Sequence, residues 1–83
     1  MNKSDLILEL DKLEVSETEY SLNGDLISDK IVLYHSYDEW QVFYFDERGR
    51  RNDEKIFDSE CKACWYIYKL FREAKEIQAK YNT

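Results

Sequence analysis

Two runs in the middle of the chain, Lys30 to His35 and Trp40 to Phe45, constrain the fold more than anything else in it. Both are β-branched and aromatic, the side chains that fit a pleated surface, and the polar segment Ser36-Tyr37-Asp38-Glu39 separates them. That spacing predicts an antiparallel pair. Side chains alternate across a strand, so Trp40, Val42 and Tyr44 share one face while Gln41, Phe43 and Phe45 share the other. Both faces need cover. If helices cover one, Phe43 and Phe45 are left on an open aromatic surface that invites a partner or a second copy of the chain.

The flanks supply the helices. Ser4 is a candidate N-cap, and Leu6, Leu10 and Leu13 recur at helical spacing, widened by Ile7 and Leu8, which predicts a first helix from Asp5 to Glu14. Tyr20-Ser21-Leu22 alternates before Asn23-Gly24, predicting a short strand and a tight hairpin turn, with Leu26 and Ile27 beginning the return. After a second polar turn, Asp46 to Arg51, the triplet Lys55-Ile56-Phe57 reads as a short last strand. Asp58 or Ser59 then caps a long helix. Cys61, Cys64, Trp65, Tyr68 and Phe71 lie on one stripe of it, and Ile67, Leu70, Ala74 and Ile77 on a neighbouring one. The apolar pattern thins beyond Arg72, so residues 78–83 are expected to fray. The expectation is one α+β domain over residues 1–83, in the order α-β-β-β-β-α. An antiparallel sheet of three or four strands would be flanked by an N-terminal and a long C-terminal helix, both on one face.

A chain of 83 residues buries only about 60% of the surface that its unfolded form exposes, so its core must be dense. Two tryptophans, seven tyrosines and four phenylalanines make up in side-chain size what the length lacks. No proline and only two glycines interrupt the chain, which has neither linker nor low-complexity tract. No apolar run approaches the ~20 residues that span a bilayer, and acidic residues stand where a signal peptide needs a basic start, so a cytoplasmic, membrane-free protein is expected. Net charge is −6, and the first third accounts for it: residues 1–29 carry two lysines against eight carboxylates. Such a surface disfavours nucleic acid and favours a basic protein partner; it equally fits charge retained for solubility.

Chemistry-bearing residues are few. Cys61-x-x-Cys64 at a helix start is a redox spacing, but Cys64 falls inside an apolar stripe and no proline is present to sit beside such a pair. Two cysteines and the single His35 are too few for a zinc site within one chain. His35 has no nucleophile at a recognisable elbow, and the arginines at 48, 50 and 51 face Asp46, Glu47, Asp53 and Glu54, a mixture that predicts local ion pairs. The reading is therefore no catalytic residue, no metal, no cofactor and no nucleic acid. Two sets could bind a partner: the acidic residues Glu14, Glu17, Glu19, Asp25 and Asp29, and the aromatic-acidic segment Tyr37, Asp38, Glu39 and Trp40. Trp40 fits a place in the core equally well.

The runs Tyr20-Ser-Leu-Asn-Gly24, Ile31-Val-Leu33, Trp40-Gln-Val-Phe-Tyr44, Glu47-Arg-Gly49 and Phe57-Asp-Ser-Glu60, followed by Ala63-Cys64, resemble the small cytoplasmic immunity proteins of bacterial polymorphic-toxin systems, contact-dependent or type VII secreted. The resemblance spans residues 20 to 71, with one residue more before Glu47 than that pattern has. It implies a protein that binds one cognate toxin domain and blocks it stoichiometrically. The alternative is a small acidic adaptor or phage-type inhibitor directed at a basic host protein.

Overall fold

In the computed structural model, which describes residues 1–81, the two aromatic runs pair as the sequence predicts and each extends by one residue. The elements are α1 (Lys3–Lys12), a single 3-10 turn (Glu17–Glu19), β1 (Tyr20–Ser21), β2 (Lys30–Ser36), β3 (Glu39–Phe45), β4 (Arg51–Phe57) and α2 (Glu60–Tyr81). The four strands lie in the order β1-β2-β3-β4, so the architecture is the predicted α+β succession of helix, four strands and helix. Ser36 pairs with Glu39 and closes the β2–β3 turn down to two residues, Tyr37 and Asp38.

The first strand departs from expectation. Tyr20 pairs with Ile31 and Ser21 with Val32 in parallel, so Asn23-Gly24 closes no hairpin. Tyr20 and Leu22 both lie in the core, and their burial, together with the 22–29 connection, sets the strand direction against the local turn signal. That connection is fastened to the sheet: the Ser21 hydroxyl donates to the Asp25 carbonyl at 2.9 Å, and the Asp29 N–H donates to Phe45 O at 2.7 Å.

β4 is longer than the predicted triplet. Its first half, Arg51 to Glu54, is polar because β4 is an edge strand with little burial to imprint a pattern. A bulge sets Asp53, at φ 54°, and Glu54 against Phe43. Ahead of it, one Asp46 carboxylate oxygen accepts from the Arg48 and Arg50 N–H groups at 2.9 and 2.8 Å. The Arg50 N–H and the Asn52 amide hold that carboxyl below the ordinary aspartate range.

α1 begins two residues earlier than predicted because Asn2, not Ser4, caps it. The Asn2 side chain accepts from the Asp5 N–H at 2.9 Å, and the Asp5 carboxylate accepts from the Asn2 N–H at 3.2 Å. The helix ends before Glu14, whose φ of 61° lets its N–H reach Asp11 O, while the Val15 N–H reaches Leu10 O. Ser59 starts α2 by accepting from the Lys62 N–H at 3.2 Å. The helix runs unbroken to Tyr81; of the residues expected to fray, Asn82 and Thr83 lie outside the described residues.

Both helices pack on one side of the sheet. Leu6 and Leu10 of α1 meet Ala63, Cys64 and Ile67 of α2 above Leu33 and Val42. Cys61 and Trp65, expected on a buried stripe, are exposed. The other side overturns the expected open aromatic surface. Phe43 is 1% exposed although no helix lies over it. Its neighbours there are the fully buried Val32, paired with it across the ladder, the Arg51 guanidinium 4.4 Å from the ring centre, and Phe45 edge-on at 6.4 Å. The same guanidinium lies 5.4 Å from the Tyr34 ring and donates to Gln41 Oε1 at 3.0 Å and to the Glu54 carboxylate at 3.3 Å.

Candidate partner-binding site

The residues singled out in the sequence fall at opposite ends of β2. Asp29 precedes the strand and Tyr37 follows it, eight positions apart and hence roughly 25 Å at ~3.3 Å per residue. They form two surfaces, not one.

At the first end, several acidic residues have structural work. Glu14 terminates α1, and its carbonyl accepts from Lys75 Nζ at 3.3 Å. The Glu19 carboxylate accepts from the Ser16 N–H at 3.1 Å and caps the 3-10 turn. Asp29 accepts from the Tyr44 hydroxyl at 3.0 Å, which raises the Tyr44 pKa above its ordinary value. Glu17 and Asp25 are exposed, on a shallow groove with Tyr20, Leu22 and Ile27.

At the second end the order reverses. Tyr37 is 96% exposed and sits at φ 55°. It is the first of two turn residues and the only one of them with positive φ, the place in a hairpin where glycine is favoured. Left-handed backbone costs an ordinary side chain about 1–2 kcal/mol. Glu14, Asp29 and Asp53 also adopt it, but Glu14 does so where the chain closes the end of α1, and aspartate is among the residues that tolerate it. Tyr37 has neither that tolerance nor any packing to offset the strain. Asp38 and Glu39 are exposed, and their carboxylates have no hydrogen-bond or ion-pair partner among the described residues.

Trp40 belongs to the frame beneath this tip. It is half-buried on the helix side, stacked on His35 at 3.9 Å and 5° between planes, with Lys3 Nζ 5.7 Å from its ring. Beside the tip runs an open groove of about 450 Å³ lined by Asp38, Glu39, Ile56, Phe57, Asp58 and Lys62. Ile56, a strand residue with no binding role in the sequence reading, is 57% exposed there. Nothing in the sequence marks it, because β4 is exposed along most of its length and carries no apolar alternation. A second apolar groove, between α1 and α2, carries the exposed Leu8 and Trp65 with Tyr68. Sequence spacing missed it because Ala63, Cys64 and Ile67 take the core-facing stripe and turn Trp65 outward.

The cysteines do not share one environment. Cys64 is fully buried and burial pushes its thiol up to about 11, whereas Cys61 is exposed, with the Met1 amino group donating to its sulfur at 3.3 Å. A dithiol exchange needs both sulfurs within reach of a substrate. Among the described residues no group of three or more His, Cys, Asp or Glu side chains is placed to hold a metal ion, and no helix is long and apolar enough to cross a membrane. Compared with known proteins, the chain matches no protein-family model, no curated protein and no solved structure.

Proposed function

We propose that this chain is a cytoplasmic immunity protein that neutralises a cognate bacterial toxin domain by tight stoichiometric binding, without catalysis, and that the β2–β3 tip is its anchor. The observation that carries the proposal is Tyr37. An aromatic side chain held in strained backbone and left almost wholly in water weakens the fold, so its value must lie outside the fold. Large aromatic side chains that enter a partner's pocket are the usual dominant contacts of an interface. Asp38 and Glu39 beside it, and the net charge of −6, suit a partner with a basic surface and speed the encounter with it. The acidic N-terminal region then contributes to steering more than to contact.

The test separates folding from binding. Tyr37→Gly relieves about 1–2 kcal/mol of left-handed strain against a glycine entropy cost of roughly 0.5–1 kcal/mol. It should raise the denaturation midpoint slightly while weakening the toxin complex at least tenfold. The partner is the toxin domain encoded beside the gene, co-expressed with the chain. Continued killing by that toxin, with no complex on a sizing column, would remove the proposal.

A further inference from the structure

We propose that the groove beside the tip receives an arginine side chain of the partner, its guanidinium held by Asp38 and Glu39 and its aliphatic stem lying on Ile56. This rests on the binding role assigned to the tip. The groove combines two features that an arginine matches together. Its apolar part is Ile56, 57% exposed, with Phe57 beside it, where three methylenes of a stem can leave water. Its polar part holds three carboxylates, and only one has a cation: Asp58 pairs with Lys62 at 2.9 Å. That pair, one helical turn apart, already places a long basic side chain on one of the groove's carboxylates. Asp38 and Glu39 have no such partner among the described residues, so the uncompensated charge lies on the tip side of the groove, next to Tyr37. A neutral or acidic side chain would leave that charge unmatched. A lysine would match the charge without the planar fork that engages carboxylates in pairs.

The experiment has two arms. In the first, the isotope-labelled chain is titrated by NMR at low salt with the peptide acetyl-Ala-Arg-Ala-amide and, separately, with its glutamine counterpart. The arginine peptide should shift the amides of residues 38–39 and 56–58 at least fivefold more than the glutamine peptide does. Glu39→Lys together with Ile56→Ser should abolish the difference. Shifts spread evenly over the other acidic residues, or none at these five positions, overturn the groove assignment. In the second arm, the same double variant, checked for an unchanged fold by its spectrum, should weaken the complex with the toxin domain at least tenfold. An undiminished complex overturns the groove while leaving the immunity role intact. If the unaltered chain forms no complex at all, the immunity role falls and the peptide titration alone decides the groove.

Discussion

The two faces of the sheet are both closed to water at their centres, over β2 and β3, and by unlike means. On one, two helices supply a layer of side chains: Leu6, Leu10, Ala63, Cys64 and Ile67 over Leu33 and Val42. On the other, Phe43 and its cross-strand neighbour Val32 are nearly as inaccessible, with the Arg51 guanidinium and the edge of Phe45 over the Phe43 ring and the 22–29 connection against Tyr34 beside them. The first closure is continuous and apolar, so it resists deformation in proportion to the volume removed. The second includes one long, partly exposed side chain held by Gln41 and Glu54. A sheet with a single helical layer thus avoids an exposed aromatic patch by using a cation as part of its cover.

The contrast can be broken most forcefully from the helix side. Ile67→Ala should cost about 2–5 kcal/mol, read as a lowered urea midpoint, with the mass by light scattering unchanged. On the opposite face, Gly24 stands at φ +79° with the Tyr34 ring 3.3 Å from where a Cβ would lie. Gly24→Ala should therefore cost about 1–2 kcal/mol through left-handed strain and that approach. Arg51→Ala should cost less, about 0.5–1 kcal/mol for an exposed cation–ring contact. Its larger effect would be on association, because uncovering Phe43 should raise hydrophobic-dye binding and the mass measured by light scattering. If dye binding and mass stay unchanged, the second closure does not depend on the guanidinium. The smallest effect should come from Asp46→Ala in the turn leading to β4. A carboxyl held below its unfolded value stabilises the fold above that value and loses its contribution as pH falls through the folded one. Removing it should therefore flatten the decline of stability below about pH 4 relative to the unaltered chain.

What could be read from the sequence was decided by burial. β2, β3 and α2 bury large side chains at regular spacing, and the sequence placed them to within a residue or two. β4 was half hidden because an edge strand carrying Asn52, Asp53 and Glu54 has no apolar alternation to announce it. The direction of β1 was illegible for another reason: Asn23-Gly24 is a local signal, and the long-range burial of Tyr20 and Leu22 overrides it. The site divided along the same line. The chemistry of Tyr37, Asp38 and Glu39 could be listed by type, but the strain at Tyr37 and the nearness of Ile56 exist only once the chain has turned.

The parallel pairing of β1 gives the amino-terminal segment only two ladder positions on the sheet, Tyr20 and Ser21. What retains α1 is therefore the fit of Leu6, Leu10 and Val15, with the Lys3 N–H bond to Glu60 and the Lys75 bond to the Glu14 carbonyl. All of them are contacts outside the β2–β3–β4 ladder, which α1 would leave intact if it came away. Each such excursion would strip the cover from Cys64, while Cys61 is always accessible. Maleimide uptake by the native protein should then show a slow second phase, whose rate follows the departures of the first helix.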